Sequence, residues 1–132
     1  MDPLADPAVK AELRRAWLDS QCDDPINRHE EGGWIYLDTS SGQITVVRTP
    51  AGTRSRLDFA GPPVVPGSVV VGTFHTHPNP TAEGWDPKPS PQDRRSAYYS
   101  GVPWLIRADD GTYHTGPDQR RGGLTGGPGF PP

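Results

Sequence analysis

The spacing of apolar residues changes along the chain, and each spacing predicts a different element. After Asp6-Pro7, a suitable cap and first-turn pair, apolar positions recur at helical intervals and predict a helix to about Ser20. Later segments are short, and their β-branched and aromatic residues are typical of strands. The predicted strands cover residues 34–37, 44–49, 57–59, 69–74, 102–107 and 112–114. This mixture of elements indicates an α/β protein.

A second helix is predicted where Ser90-Pro91 can cap and start it and Gly101 can end it, after about Ser100. We therefore expect an α/β domain with a central mixed β-sheet flanked by helices. We expect three parts along the chain. Residues 1–22 carry an N-terminal helix that packs on the domain, residues 23–116 form the domain itself, and residues 117–132 are a Gly/Pro-rich flexible tail.

Composition limits the size of the core and the kinds of partner. The chain has 132 residues, 32% of them hydrophobic, and its 16 Gly and 17 Pro predict long connections around a small sheet. The net charge of -3 gives no general electrostatic reason to expect a nucleic-acid partner. The chain has neither a signal-peptide pattern nor a long apolar run, so we expect a cytoplasmic protein with no membrane partner. The preference for Arg over Lys suggests GC-rich coding and a bacterial origin.

The segment Phe74-His75-Thr76-His77-Pro78 is the first candidate for chemistry. It follows an apolar, β-branched run that predicts a buried strand. If the strand extends through His77, both imidazoles emerge on the same face, because side chains alternate along a strand. Neutral imidazole is the commonest protein ligand of metals, so this pair could supply two corners of a tetrahedral site.

A third corner could come from Ser90-Pro91-Gln92-Asp93. With Ser90 as the N-cap and Pro91 at the first helical position, Asp93 falls in the first turn, at a fixed place beside the cap. Taken alone, this pattern is a common capping signal, and a His-x-His pair is as often structural as functional. The combination on a strand-to-loop-to-helix frame favours metal binding.

An acidic segment upstream supplies a candidate for proton transfer. Glu30-Glu31-Gly32-Gly33 runs directly into the strand predicted at 34–37. In order along the chain, Glu-x-Gly-Gly, His-x-His and Ser-x-x-Asp resemble the signature of the JAMM (JAB/MPN-type) zinc metalloproteases, and the resemblance covers residues 28–115. It implies a metalloprotease domain with a JAB/MPN, cytidine-deaminase-like fold for residues 23–116, in a prokaryotic stand-alone member of the family.

The resemblance also implies roles for individual residues. The zinc ligands that it implies are His75, His77 and Asp93, with a water molecule in the fourth position. Glu30 would be the general base and later the general acid, and the neighbouring Glu31 is the competitor for that role. Ser90 would hydrogen-bond at the active site and help to stabilise the oxyanion, besides capping its helix.

The chain departs from the family pattern before Ser90. Twelve residues separate it from the second histidine, more than in the usual pattern, so 78–89 contains an insertion. Asp86 and Glu83 lie in this insertion and offer alternative carboxylates for the third ligand position. Trp85, near its centre, either contacts substrate or packs the loop down, and the sequence does not decide between these roles.

The resemblance implies a zinc-dependent peptidase or isopeptidase, similar to deubiquitinases, that cleaves after the C-terminal glycine of a ubiquitin-like or sulfur-carrier protein. A glycine tail suits such a site because it can lie extended in a narrow groove beside the metal. Two other functions stay open, namely a catalytically silent binding module of JAB/MPN type and a metal-dependent hydrolase of a different bond, such as a phosphoester. A mononuclear site with two histidines and one aspartate favours amide chemistry over phosphate chemistry.

Overall fold

The computed structural model of the chain describes residues 5–59 and 61–116. Within these ranges the regular elements are two α-helices and five β-strands. The helices are α1 (Pro7–Asp19) and α2 (Pro91–Ser100), and the strands are β1 (Gly32–Asp38), β2 (Ile44–Arg48), β3 (Ser68–Thr76), β4 (Trp104–Ala108) and β5 (Gly111–Thr115). A short 3-10 turn, Thr81–Glu83, lies between β3 and α2.

All five strands join one mixed sheet in the order β2-β1-β3-β4-β5. β3 and β4 run parallel, whereas the other neighbouring pairs run antiparallel. Parallel neighbours need a crossover connection, and the segment that carries α2 provides it. The expected α/β class with a central mixed sheet is therefore confirmed.

The first helix, α1, covers one face of the sheet. Asp6 caps it by accepting a hydrogen bond from the Ala8 N–H at 2.8 Å, and Pro7 occupies the first turn, where its missing N–H costs nothing. Buried side chains of α1 meet buried side chains of four strands in one cluster, whose members are Val9, Leu13, Ala16, Ile35, Ile44, Phe74 and Leu105. The predicted apolar stripe thus supplies the packing face of the helix, which ends at Asp19.

The second helix, α2, covers the opposite face. Its buried Ala97 packs there against one further cluster, formed by Trp104, Ile106, Ala108 and Tyr113. Because side chains alternate along a strand, Leu105 faces α1 while its two neighbours face α2. By the same alternation, Phe74 faces α1 and His75 faces α2. The imidazole of His75, on β3, therefore lies on the face that α2 covers.

One predicted strand is wrong. Residues 57–59 lie in the connection between β2 and β3 and belong to no strand of the described sheet. Both edges of β1 are occupied, by β2 and β3, so a further strand could join only beyond β2 or β5. Phe59 packs against the rings of Trp34 and Trp104, and Leu57 lies beside Gly32, so both side chains are buried partly by the sheet without joining it.

The remaining strand predictions are right to within a few residues. β1 begins at Gly32, before the predicted position 34, and β3 continues to Thr76, past the predicted position 74. β4 begins at Trp104 instead of position 102. The predicted tail, 117–132, lies outside the described residues.

In the part of the chain that the structure describes, no helix combines the length and the apolar character needed to cross a membrane.

Candidate metal centre

The two histidines lie at the end of β3, on the face covered by α2. β3 pairs with β4 through Thr76, and the His77 N–H extends this pairing by donating to the Arg107 carbonyl at 2.8 Å. The backbone therefore stays paired through His77, as convergence of a His-x-His pair requires. The Nε2 atoms of His75 and His77 lie 3.2 Å apart.

A capping box fixes the third side chain, Asp93. Ser90 is the N-cap of α2, and its hydroxyl accepts from the Asp93 N–H at 3.1 Å, while Asp93 Oδ2 accepts from the Ser90 N–H at 2.8 Å. The same carboxylate contacts both imidazoles, with Oδ1 3.3 Å from His75 Nε2 and Oδ2 3.3 Å from His77 Nε2. The structure thus brings together the three residues that the sequence indicated as ligands.

These separations match the spacing of ligands around a small cation. The closest contacts among the three side chains are 3.2, 3.3 and 3.3 Å. A tetrahedral metal with bonds of about 2.0–2.1 Å would hold its ligand atoms about 3.3–3.4 Å apart. Asp93 approaches the two nitrogens through different oxygens, and hydrogen bonds from the imidazoles to this carboxylate can form when no cation is present. The spacing is therefore compatible with a shared cation.

The Glu30 carboxylate also lies near the two histidines. Glu30, His75 and His77 each offer one ligand atom, these atoms all lie within 4.8 Å of one another, and the cluster could hold a metal ion. Asp93 approaches both imidazoles more closely than that limit and is held by its cap. Asp93 is therefore the better third ligand, which leaves the Glu30 carboxylate for another role.

Backbone hydrogen bonds hold Glu30 in position. Gly32 lies opposite the first histidine in the register of β1 and β3, and continuing that register puts Glu30 opposite the second. The Glu30 N–H donates to the Thr53 carbonyl at 2.7 Å, and the Glu30 carbonyl accepts from the Gly52 N–H at 2.9 Å. With its backbone fixed and only 8% of the residue exposed, Glu30 has little freedom to turn away.

The glycine pair that follows lets neighbouring strands approach closely. A Cβ atom on Gly32 would lie 2.3 Å from the Phe74 carbonyl oxygen and 2.9 Å from the His75 Cβ. A Cβ atom on Gly33 would lie 2.2 Å from the Val47 carbonyl oxygen. Because only glycine tolerates such contacts, the Glu-x-Gly-Gly pattern sets the distance between the glutamate segment and the histidine strand.

Glu31 is committed to the opposite face of the sheet. Its Oε1 lies 2.6 Å from Arg48 Nη2, and its Oε2 lies 2.5 Å from His29 Nε2. Arg48 in turn pairs with Glu12 and Asp19, at 3.1 and 3.2 Å. Consecutive residues of an extended segment face opposite sides, so one glutamate joins this ion network and the other faces the histidines. Of the two glutamates that the sequence left open, the geometry favours Glu30 for proton transfer.

The two carboxylates of the centre have opposite pKa shifts. Burial raises the pKa of Glu30 and outweighs the opposing effect of the histidine charges. Burial also acts to raise the pKa of Asp93, but charge on His75 and hydrogen bonds from both histidines hold that pKa well below its ordinary value. Asp93 thus favours the ionised form that a ligand needs, whereas the Glu30 carboxylate takes up a proton more readily than usual.

The second nitrogen of each imidazole has its own environment. His77 Nδ1 lies 3.3 Å from the Pro87 carbonyl oxygen, which suits a proton on Nδ1 and leaves Nε2 free for a metal. His75 Nδ1 is buried without a hydrogen-bond partner among the described residues, and its ring lies near those of Phe59 and Trp104, at centroid distances of 5.8 and 5.7 Å. Pro87 belongs to the insertion. The sequence could not predict its contact with His77, because any residue has a backbone carbonyl.

The two acidic side chains of the insertion have other contacts. Glu83 pairs with the buried Arg28, with Nη1 and Oε2 3.1 Å apart. Asp86 accepts a hydrogen bond from the Lys88 N–H at 3.0 Å. Both alternatives to Asp93 are thus engaged elsewhere, whereas Asp93 contacts both imidazoles.

The centre opens into a cleft of about 850 Å³. All five residues of the centre line it, namely Glu30, His75, His77, Ser90 and Asp93. The aromatic side chains of Trp34, Phe59 and Trp104 form part of its wall. Sequence reasoning missed this wall, since its members come from three separate segments. Trp85 lies in a smaller adjoining pocket and is 44% exposed, so it is accessible to a bound molecule.

Comparisons of the chain with protein-family models, with curated proteins and with solved structures found no match. Function is therefore inferred from the side chains and distances of the centre itself.

Proposed function

We propose that the chain is a zinc-dependent amide hydrolase of the JAMM type with a JAB/MPN fold. One observation carries this proposal, namely the contact of Asp93 with both imidazoles at 3.3 Å, completed by the 3.2 Å separation of the two Nε2 atoms. Two imidazoles and one carboxylate form a donor set typical of a zinc site with one position left for water or substrate. The order Glu-x-Gly-Gly, His-x-His, Ser-x-x-Asp supports the family assignment.

Zinc bound by these residues would acidify a water molecule and polarise the scissile carbonyl. The chain prepares its ligands in two ways. The capping box between Ser90 and Asp93 fixes the carboxylate, and the contact of His77 Nδ1 with the Pro87 carbonyl would orient the ring so that Nε2 faces a bound metal. The ligands are therefore preorganised.

Glu30 is the proton carrier in this mechanism. It accepts a proton from the attacking water and later donates that proton to the leaving nitrogen, a role worth about 10² to 10⁴ in rate. Its buried position and raised pKa suit a group that must be ionised in one step and protonated in the next. Glu31, whose two oxygens contact Arg48 and His29, contributes to the frame of the site instead.

Ser90 has a second role beside the cap. Its hydroxyl oxygen accepts from the Asp93 N–H, so its own hydrogen can be donated to an oxygen of the substrate in the cleft that Ser90 lines. A donor placed there stabilises the negative charge that develops on the carbonyl oxygen. Ser90 therefore helps to form the oxyanion site.

The substrate class that we propose is a ubiquitin-like or sulfur-carrier protein, cleaved after its C-terminal glycine. A cleft of about 850 Å³ with aromatic walls is large enough for several residues of an extended tail. Glycine suits the position beside the centre, because its lack of a side chain allows the backbone to approach closely between the walls.

The experiment that tests the function compares two adjacent glutamates. Purified protein is loaded with zinc and incubated with fusions in which a ubiquitin-like protein ends in Gly-Gly and continues into a reporter or is linked to lysine. We expect hydrolysis that a chelator abolishes and that Glu30→Gln lowers about 10² to 10⁴-fold. Glu31→Gln is the matched control and should keep the rate constant of the folded fraction. Equal rates for Glu30→Gln and wild type would overturn the assignment of Glu30, and no hydrolysis of any fusion by zinc-loaded protein would overturn the hydrolase.

A further inference from the structure

Two cavities meet at the metal centre. The cleft of about 850 Å³ and a pocket of about 120 Å³ share Glu30, Ser55 and His77 as lining residues. The cleft also contacts Ser90 and Asp93, whereas the lining of the small pocket is completed by residues of the insertion and by Arg54. A substrate that reaches both cavities must therefore cross the centre.

The proposed chemistry assigns the two parts of the substrate to the two cavities. Ser90, the proposed donor to the carbonyl oxygen, lines the cleft, so the acyl part belongs there. Glu30, which delivers the proton to the leaving nitrogen, lines both cavities. The leaving group therefore exits towards the small pocket, whose volume of about 120 Å³ is well below the range of about 300–1,000 Å³ of ordinary ligand pockets and leaves room for one small residue.

Arg54 lines the small pocket and is hydrogen-bonded to Asn79. Its Nε donates to Asn79 Oδ1 at 3.3 Å, and Asn79 Nδ2 donates back to the Arg54 carbonyl at 2.7 Å. Asn79 is buried, and the Arg54 Cζ lies 6.0 Å from the centre of the Trp85 ring. A guanidinium that is positioned through its Nε can pair with a carboxylate through the planar fork of its terminal nitrogens.

We infer that the small pocket binds the residue on the leaving-group side of the scissile bond and that Arg54 pairs with a carboxylate of that residue. This inference rests on the proposed amide hydrolase. It names the substrate class more narrowly, as conjugates in which the acyl tail is joined to an amino acid that carries a free carboxylate. That carboxylate is either the α-carboxylate of a terminal residue or the side chain of Asp or Glu.

The other charged groups of the pocket leave this role to Arg54. Asp86 also lines the pocket, but its Oδ1 is already engaged by the Lys88 N–H. Glu30 is the proposed proton carrier and His77 a proposed ligand, and both line this pocket. Among the described residues that line this pocket, Arg54 is the one permanently cationic side chain. A leaving residue with a positive side chain would instead face Asp86, which gives the experiment a contrasting arm.

The reaction is a hydrolysis and needs no co-reactant besides water. The carbon–nitrogen bond of the amide breaks, and a carbon–oxygen bond forms between the carbonyl carbon and the water oxygen. The acyl product leaves as a carboxylate, while the nitrogen gains its proton through Glu30 and departs with the leaving residue. The carboxylate paired with Arg54 is unchanged throughout.

The test uses four peptides with the same acyl part ending in Gly-Gly. The leaving residues are alanine with a free carboxylate, alanine amide, aspartate amide and lysine amide. For zinc-loaded wild type we expect the free alanine acid or the aspartate amide to exceed alanine amide in kcat/KM by on the order of tenfold, mainly through KM. Preference for the first places the carboxylate on the backbone, and preference for the second places it on the side chain.

Arg54→Ala should reduce the ratio of kcat/KM for the carboxylate-bearing peptide to kcat/KM for alanine amide to about one. Arg95→Ala is the control, at an exposed position of α2 outside both cavities, and should keep the wild-type ratio. A wild-type enzyme that hydrolyses the peptides without any carboxylate preference would overturn the inference and leave the hydrolase intact. Preference for lysine amide would also overturn it, because Asp86 would then set the specificity.

A binding measurement separates this inference from the hydrolase itself. Calorimetric titration of Glu30→Gln with the uncleaved acid and amide peptides should show about tenfold tighter binding of the carboxylate-bearing peptide, and Arg54→Ala in the same background should remove that difference. If no peptide is hydrolysed but this difference is found, the pocket assignment holds and the hydrolase fails. Equal binding of acid and amide would overturn the pocket assignment whatever the activity.

Discussion

Where β1 and β3 meet, the two faces of the sheet use the same kinds of side chain in opposite ways. On the face towards α1, the Glu31 carboxylate lies 2.6 Å from Arg48 and 2.5 Å from His29. On the face towards α2, the charges that act on Glu30 come from the two histidines and from Asp93. One face therefore pairs its carboxylate with a permanent cation, and the other gathers carboxylates around imidazoles.

The two faces separate structural ion pairs, which lie towards α1, from the candidate metal site, which lies towards α2. A buried carboxylate with an arginine partner is balanced in the folded protein and holds two elements together. Two carboxylates beside two imidazoles would carry excess negative charge when the imidazoles are neutral, and a bound divalent cation would balance that charge. The α1 face is thus complete as it stands, whereas the α2 face is built to receive a positive charge. Each prediction below alters one side of this comparison.

The largest effect is expected from Asp93→Asn. The amide keeps an oxygen that can accept from the Ser90 N–H, so the cap of α2 survives, but the negative charge that contacts both imidazoles is removed. We expect zinc affinity to fall by more than about 100-fold and hydrolysis to be lost. Removing a group that only hydrogen-bonds a metal ligand already lowers metal affinity by about 10–100-fold, and removing the charge of the ligand itself should cost more. Competition with a chromogenic chelator measures the affinity.

Glu83→Gln and Asp86→Asn are the matched controls for this change, since both remove one carboxylate from the insertion. Each should leave zinc affinity within about threefold of wild type, because Glu83 pairs with Arg28 and Asp86 with its own loop. Loss of zinc from either variant, with retention by Asp93→Asn, would move the third ligand into the insertion.

The next prediction compares Glu30→Gln and Glu31→Gln in their free energy of unfolding. Glu31→Gln removes the charge that faces Arg48 and His29, and we expect the free energy of unfolding to fall by about 1–3 kcal/mol. Glu30→Gln should leave stability unchanged or slightly raised, because burial disfavours the charged form of that side chain. Urea denaturation of both metal-free variants measures the difference. A larger stability loss for Glu30→Gln would reverse the roles assigned to the two faces.

An effect of similar size is expected when the distance between β1 and β3 is changed. Gly32→Ala places a Cβ atom 2.3 Å from the Phe74 carbonyl oxygen, so β1 and β3 must move apart. We expect a loss of about 1–3 kcal/mol in stability together with weaker hydrolysis, since Glu30 is displaced from the histidines. Thr45→Ala, at an exposed position of β2, serves as the control. Wild-type activity in a stably folded Gly32→Ala variant would show that this distance is not critical.

The sequence was most informative where the geometry is local. The period of two along a strand predicts that His75 and His77 share a face, and the capping pattern predicts where Asp93 lies in its helix. Both features involve residues within a few positions of one another, so neighbouring residues alone determine them. The positions of the helices and of most strands along the chain were predictable for the same reason.

Features that depend on distant segments were not predictable in this way. Which of Glu30 and Glu31 faces the histidines depends on the pairing of β1 with β3 and on Arg48. The strand predicted at 57–59 was wrong because Phe59 packs against Trp34 and Trp104 and Leu57 lies beside Gly32, contacts with distant segments that the local pattern does not reveal. The support of His77 by a backbone carbonyl of the insertion is equally invisible in the sequence.

The smallest effect concerns Asp38, at the opposite end of β1 from the glutamates. Its carboxylate accepts from the Ser40 N–H at 2.9 Å, the Ser40 hydroxyl at 2.8 Å and the Ser41 N–H at 2.9 Å. The hydrogen bond from Ser41 and those from Ser40 lower its pKa to about 2. Asp38 is thus a carboxylate balanced by hydrogen bonds, with no cationic partner among the residues that the structure describes.

A pKa lowered in the folded state means that Asp38 binds protons less readily there than in the unfolded chain. Its contribution to stability is therefore fully present above the unfolded pKa of about 3.9 and is lost as the pH falls through about 2. We expect wild type to be more stable than Asp38→Asn at pH 5, with the difference shrinking as the pH approaches 2, in urea denaturation of metal-free protein. A difference that stays constant from pH 5 to 2 would mean that shape, and not charge, makes Asp38 stabilise the turn. In that case Glu31 and Asp38 would differ in kind, because Glu31 is balanced by ionic partners whereas the hydrogen bonds to Asp38 come from Ser40 and Ser41.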